Sequence, residues 1–290
     1  MTDKKHGKLF NNLFLFVVYG FVAITIVVIL SVIIYLTVRG LFKGGNPSNG
    51  LNINFEYLFT TTSDGGKTGG IIAIIWNTVL LVLLSGVIAG SIGISSAIYL
   101  CFYAKVNKFT SFIRSSIEVL AGIPSIIFGL FGLLVFVGLF KFGYSLISGV
   151  LTLSIMILPT VITTSENALS SVDKSLYEAG IGLGSTKMEA IMKVVIKEAK
   201  HGIVSGMILS IGRALGETAA LVYTVGSSYK FANSLLSSAR PLAMHIYLGI
   251  NEGQSLDKAF AAAFVLLILC MMMIFIAELL VKHFGKGIKR

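Results

Sequence analysis

The run LFLFVVYGFVAITIVVILSVIIYLTV, residues 13–38, carries no charged side chain, and apolar stretches of similar length recur along the chain. About 20 apolar residues, rising 1.5 Å each, are enough to cross the hydrocarbon of a bilayer. Inside lipid every backbone N–H and C=O needs an internal partner, so such a stretch folds as a helix. Six windows meet the requirement: 13–38, 70–102, 116–140, 144–166, 203–227 and 259–281. The expected fold class is therefore an all-α integral membrane protein with six transmembrane helices. Composition agrees, with 55% hydrophobic and 12% charged residues where soluble domains carry roughly 25% charged. The first run exceeds the apolar core of a signal peptide, about 7 to 15 residues, and reads as a retained helix.

Charge sets the expected orientation. The net charge is +10, yet the basic residues form no stripe with interleaved aromatics, so nucleic acid is not an expected partner. They gather instead near Lys4, Lys5 and Lys8, near Lys105, Lys108 and Arg114, from Lys174 to Lys200, and from Lys282 to Arg290. Fewer lie in the intervening segments: Arg39, Lys43, Lys67, Lys141, Lys230, Arg240 and Lys258. The positive-inside rule then places both termini in the cytoplasm. The resulting layout is a cytoplasmic N-terminus at 1–12, a first helix and outer loop at 13–69, a transmembrane domain at 70–281 and a cytoplasmic C-terminus at 282–290.

Several chemistries are disfavoured. Cys101 and Cys270 fall in or beside apolar spans and read as buried free thiols. His6, His201, His245 and His283 are scattered over both sides, so no metal site is expected. The GGKT within DGGKTGG, residues 64–70, lacks the glycine a phosphate-binding loop needs five positions earlier, where Thr61 stands. No buried strand precedes it either. The chain is expected to be no enzyme, to carry no ATPase site and to need no cofactor.

Two stretches depart from plain membrane filler. In GRALGETAALVYTVG, Gly212 to Gly226, Arg213 and Glu217 stand four residues apart inside an apolar window. On a continuous helix they would share one face. A charge at the bilayer centre costs about 2.5 to 3.5 kcal/mol on insertion scales, and a buried ion pair is a weak source of stability. Gly212, Ala214, Gly216, Ala219 and Ala220 around them suit close helix packing. The second stretch is 167–202, where Val172, Leu176, Ala179, Leu183, Met188, Ile191, Val194 and Val195 recur at helical spacing among charges. It reads as short amphipathic helices broken near Gly180, Gly182 and Gly184.

The segment SLYEAGIGLGSTKMEAIMKVVIKEAKHGI, Ser175 to Ile203, resembles the EAA loop of ABC-importer permeases: Glu178 and Ala179 begin it, and Gly184 follows six residues after the glutamate. Gly180 stands where a second alanine is usual, and Lys197 and His201 where proline is common. The stretches EVLAGIPSIIFGLFG, LPTVITTSENALSSVDKSLYEAG and GRALGETAALVYTVG resemble membrane subunits of the bacterial phosphate-specific ABC importer, over about residues 70–281. The tail PLAMHIYLGINEGQSLDKAFAAAFVLL, residues 241–267, is closer to the A-type than to the C-type of its two permeases. Asn77 and Thr78 depart from a common Gly-Thr.

The resemblance implies a type I ABC-importer permease architecture with a cytoplasmic coupling helix. It implies as partners a homologous permease, a dimer of ATPase subunits docking near Glu178, Ala179 and Gly184, an extracytoplasmic phosphate-binding protein, inorganic phosphate and the lipid bilayer. Under it Arg213 is the first choice for contact with the anion, because a guanidinium offers parallel donors to two oxygens. Glu217 would hold that guanidinium or temper the site. Alternatives remain: a permease for another oxyanion such as molybdate or sulfate, a non-transporting adaptor reporting phosphate status, and a carrier driven by an ion gradient.

Overall fold

The computed structural model describes residues 3–63, 68–253 and 255–285. Most of the GGKT turn and the last five residues lie outside this range. The chain runs α1 (Asp3–Leu41), short 3-10 turns, α2 (Phe55–Phe59) and a two-residue antiparallel pair, β1 (Thr62–Ser63) with β2 (Thr68–Gly69), in which Thr62 faces Gly69. The helices that follow are α3 (Ile72–Ile98), α4 (Lys108–Gly122), α5 (Ser125–Gly132), α6 (Leu146–Ser170), α7 (Lys174–Gly182), α8 (Lys187–Ala190) and α9 (Ile196–Leu215). After them come α10 (Ala219–Val222), α11 (Leu242–Asn251) and α12 (Leu256–Gly285). Wider π-helical turns extend α3 through Tyr99–Tyr103, continue α5 through Leu133–Leu139, and join α8 to α9 through Ile191–Val195.

Four of the six windows are uninterrupted helices long and apolar enough to span: Asn11–Leu41, Ile72–Tyr103, Leu146–Ser170 and Leu256–Leu279. The third window is a bent pair, Lys108–Gly122 and Ser125–Leu139, meeting at 101°. Pro124 explains the corner, since it lacks an N–H and pushes the residue before it out of the helical region. Ile123 accordingly sits at φ −70, ψ 133. The fifth window, 203–227, is not one helix. It begins inside α9 and breaks between Leu215 and Ala219, so among the described residues four helices, or five with the bent pair, are long and apolar enough to span.

The core forms where α3, α6 and α9 meet and α5 and α10 close the side. Leu81, Val82 and Ala89 of α3 pack on Val150, Leu153, Ile157 and Val161 of α6, all nearly inaccessible. Hydroxyls stitch the same seam: Ser85 Oγ donates to the Val150 carbonyl and Ser154 Oγ to the Ser85 carbonyl, each at 3.3 Å. Contacts of this kind, with small residues, hold helices together where lipid removes the hydrophobic drive. Gly206 of α9 lies against Thr164 with no room for a Cβ. By contrast α1 packs on α12, where the Tyr35 and Phe260 rings meet edge-on at 5.7 Å, and most of its apolar side chains are bare. Such a surface suits lipid or another membrane helix.

These helices give the molecule two ends. At the hairpin end, where α6 finishes, lie α7 and α8. At the distal end, where α6 begins, lie α11 and the segment between α10 and α11.

Candidate functional site

The hairpin end is built from local signals. Asp173 starts α7 by accepting from the Ser175 N–H at 2.9 Å, and this bond holds its carboxyl below the usual carboxylate range. Thr186 starts α8 with a reciprocal capping box: its Oγ accepts from the Glu189 N–H, and the Glu189 carboxylate accepts from the Thr186 N–H at 3.1 Å. Lys193, 2.9 Å from Glu189, and these Thr186 bonds lower the Glu189 carboxyl to about 2. Between the helices Gly184 takes φ +87, a left-handed conformation that costs a side-chain-bearing residue about 1 kcal/mol or more. Its N–H bonds the Ile181 carbonyl, and Ser185 N–H bonds that of Gly180.

Gly180, the departure from the usual alanine, is buried, and a Cβ there would sit 3.3 Å from the Ala190 Cβ. The missing methyl lets α7 lie close on α8. The expected break is therefore at Gly184, while Gly180 and Gly182 are inside α7. Glu178, Ala179 and Gly184 are all exposed, with Leu176, Met188 and Leu183 bare beside them, Leu183 at 89% exposure. This is a preformed knob with an apolar tip. Behind it a cavity of about 430 Å³ is lined by Cys101, Arg114, Asp173, Lys174 and Tyr177 among others.

Arg213 and Glu217 are brought less close together than their spacing suggests. Arg213 lies in the last turn of α9 and is exposed, whereas Glu217 follows the helix end and is buried at 9% exposure. They form no ion pair among the described residues. Glu217 Oε1 instead accepts from the Ala220 N–H at 3.2 Å, within the turn that starts α10. Glycine at 216 weakens the helix, and a carboxylate able to bond nearby backbone competes with its continuation. The surrounding small residues divide too. A Cβ at Gly212 would meet nothing and one at Gly216 only the Arg213 carbonyl at 3.9 Å, whereas one at Gly129 would lie 2.8 Å from the Ala220 Cα. Close packing thus falls on α10 against α5 rather than around Arg213.

Besides the Glu189–Lys193 contact, sequence reading missed two ion pairs. Arg114 of α4 meets Glu166 of α6 at 2.7 Å and donates to the Leu100 carbonyl at 3.1 Å, tying three helices at the hairpin end. At the distal end Arg240 is wholly inaccessible. Its Nη2 donates to Glu252 Oε1 at 2.9 Å, its guanidinium lies 4.4 Å from the centre of the Tyr229 ring, and Tyr229 Oη donates to Glu252 Oε2 at 2.9 Å. His245, 4% exposed, meets the Tyr229 ring edge-on. Burial, then the Arg240 charge, lowers its imidazole to about 4, while burial and the bond to Glu252 raise the Tyr229 phenol. The signal available in sequence was only one Arg and one Glu separated by twelve residues.

The departures at positions 77 and 78 also have a structural use. Asn77 is fully buried; its Nδ2 donates to the Lys230 carbonyl and its Oδ1 accepts from the Ala232 N–H, each at 3.0 Å. Thr78 Oγ1 accepts from the Leu242 N–H at 2.8 Å, at the start of α11. A sequence-only reading sees polar residues in an apolar span; the fold makes them anchors for the distal segment.

Residues 89–290 match the family described as binding-protein-dependent transport system inner membrane component. Over 223 residues the chain is 34% identical to a probable ABC transporter permease protein, YqgI, of Bacillus subtilis (strain 168), covering 72% of this chain and 76% of that one. Over 230 residues it is 34% identical to the phosphate transport system permease protein PstA 2 of Mycobacterium bovis, covering 78% and 76%. Identity is also 34% over 216 residues with the phosphate transport system permease protein PstC of Pasteurella multocida, covering 66% and 67%. Among solved structures, a chain of a bacterial alginate ABC transporter superposes with a TM-score of 0.66 at 17% identity, covering 93% of this chain and 96% of that one. A chain of the MetNI methionine ABC transporter in an inward-facing conformation gives 0.60 at 18% identity, covering 76% and 96%. At those identities the likeness is one of fold.

Proposed function

This chain belongs to the family of binding-protein-dependent transport system inner membrane components, and on that premise we propose that it is a permease subunit of an ATP-driven phosphate importer. As an ABC permease it works with a paired permease, a separate ATPase subunit and a substrate-binding protein. Relatives named as phosphate permeases, aligned over most of the chain, support phosphate as the cargo. The PstA 2 relative of Mycobacterium bovis and the PstC relative of Pasteurella multocida are each 34% identical to it; the tail at 241–267 favours the A-type.

The observation that carries the site is Arg213: an exposed guanidinium at a helix break, in no ion pair among the described residues. A charge left unpaired in a membrane protein is costly and marks a functional position by default. Its parallel donors match two oxygens of a phosphate. Glu217 acts from the next turn, holding the break open through Ala220 and keeping negative charge near enough that the anion is not retained. A transport site has to bind well enough to admit and weakly enough to release.

With both termini cytoplasmic, the hairpin end faces the ATPase. Glu178, Ala179 and Gly184 then form the coupling element: the bare tip around Leu183 docks, and the short caps carry its movement into α6 and α9. ATP binding shifts the balance between inward-open and outward-open states through this contact.

Reconstitution with a C-type permease, ATPase and binding protein tests the reading. ATP-dependent uptake of labelled phosphate is expected. Uptake confined to sulfate or molybdate reassigns the cargo, and uptake that follows a proton or sodium gradient without ATP overturns the reading altogether.

A further inference from the structure

At the distal end a cavity of about 620 Å³ opens beside the segment between α10 and α11, and its walls include Thr62, Ser228, Tyr229, Lys230, Asn233 and Ser238. Among the described residues no carboxylate lines it. Lys230 contributes an exposed ammonium, and the rest of the polar lining is hydroxyl and amide. Ser228 Oγ accepts from the Lys230 N–H and Ser238 Oγ from the Ser228 N–H, which leaves their hydroxyl hydrogens to be given elsewhere. The nearby Glu252 carboxylate accepts from Arg240 and from the Tyr229 hydroxyl.

The cavity is held in shape. Asn77 clamps the backbone on both sides of Phe231. At the opposite rim the first amides of α6 hold the loop, Leu146 N–H donating to the Ser237 carbonyl at 2.9 Å and Ile147 N–H to that of Leu235 at 2.8 Å. Ser238 also lines a second cavity, of about 430 Å³, that reaches Tyr144, Gly226 and Val222. Val222 closes α10, the turn that Glu217 starts. The two cavities thus share Ser238 in their walls, and the second reaches the end of α10.

From this arrangement we infer that the Lys230 cavity is a binding site for a free tetrahedral oxyanion, the first contact on this subunit for an anion moving towards Arg213. The inference rests on the proposed phosphate import and on the distal end facing outward. A lysine ammonium is a compact, strongly hydrated charge; beside hydroxyls and, among the described residues, no acid, it attracts the anion without stripping it of all its water. Arg213 then takes over with paired donors.

The test uses the purified transporter with all its subunits. Lys230 is acetylated with an amine-reactive ester, and the rate at that site is read by mass spectrometry with inorganic phosphate or with chloride at matched ionic strength, since screening alone slows charged encounters. Phosphate is expected to slow labelling of Lys230 about fivefold, the effect of roughly 1 kcal/mol, and to leave exposed Lys141 unchanged. Equal slowing at both lysines overturns the inference. So does protection that appears only in phosphatidylglycerol nanodiscs and not with inorganic phosphate, which would assign the cavity to a lipid headgroup. As a second arm, Lys230→Gln lowers the rate of ATP-driven phosphate uptake about fivefold and Lys230→Arg restores most of it. Unaltered uptake in Lys230→Gln, in a complex that imports phosphate normally, overturns this inference alone; a native complex that imports no phosphate overturns the proposed function instead.

Discussion

Arg213 and Arg240 each have a glutamate near in sequence, and the fold treats them in opposite ways. Arg240 and Glu252 are twelve residues apart yet joined at 2.9 Å, with Tyr229 bonded to the same carboxylate. Arg213 and Glu217 are four apart and unjoined, because α9 ends between them. Tied to Glu252 through Nη2 and stacked on Tyr229, Arg240 is a structural tie that shapes the distal segment. Left open, Arg213 has donors to offer. Proximity in sequence is a guide to pairing only while the helix that carries it continues.

Replacing each arginine by methionine is the strongest way to break that contrast. Arg240→Met removes a fully buried partner, and with it the bond to Glu252 Oε1 and the stacking on Tyr229, while Tyr229 keeps its bond to Glu252 Oε2. It is expected to lower stability by about 1 to 2 kcal/mol, the loss of one charge-assisted bond, read as an earlier thermal melt in detergent. Arg213→Met is expected to change stability by less than about 0.5 kcal/mol and to cut ATP-driven phosphate uptake at least about tenfold, the loss of one charge-assisted contact. Equal destabilisation by both variants would erase the distinction.

Acid separates the distal cluster from the hairpin. His245 titrates near 4 in the folded protein against about 6.5 when unfolded, so the unfolded chain takes up the proton first and stability falls as pH drops from 6.5 towards 4. The loss is of order 2 to 3 kcal/mol, and His245→Phe abolishes that part of the pH dependence. Glu189, with its carboxyl lowered to about 2, supports the hairpin in full above pH 4.5 and loses that support progressively as pH falls from 4.5 towards 2, so that at pH 4 most of it remains. Hydrogen exchange at pH 4 and 7 is expected to show new opening around α11 while the amides of α8 stay protected; the reverse order would refute the assignment.

The smallest expected change sharpens the picture of the hairpin. Gly184→Val forces a β-branched residue to φ +87 and is expected to cost about 1 to 2 kcal/mol locally. ATPase association and coupled uptake should fall while Arg213-dependent anion contact is untouched. Normal coupling in that variant would remove Gly184 from the coupling element.

Much of this was legible from local pattern. Apolar length predicted α1, α3, α6 and α12, and the alternation of charge and apolar residues from 167 to 202 predicted a broken amphipathic hairpin. The corner at Pro124 and the break after Leu215 were hidden inside windows that read as continuous, since hydropathy sums over residues and is blind to where the backbone turns. Asn77 was read as a departure from a motif; its role depends on a segment more than 150 positions away.

The sequence by itself determined that this chain lives in a membrane as helices, and that its charged residues near Glu178 and Arg213 stand apart from the apolar bulk. Those properties follow from transfer energies and periodicity, which are local. Only the tertiary structure decided that Arg240 is paired in a buried cluster while Arg213 is exposed, that Glu217 starts a new turn instead of completing a pair, and that Lys230 borders a cavity free of carboxylates among the described residues. Pairing, burial and access depend on which distant segments meet, and that is settled by packing across the whole bundle.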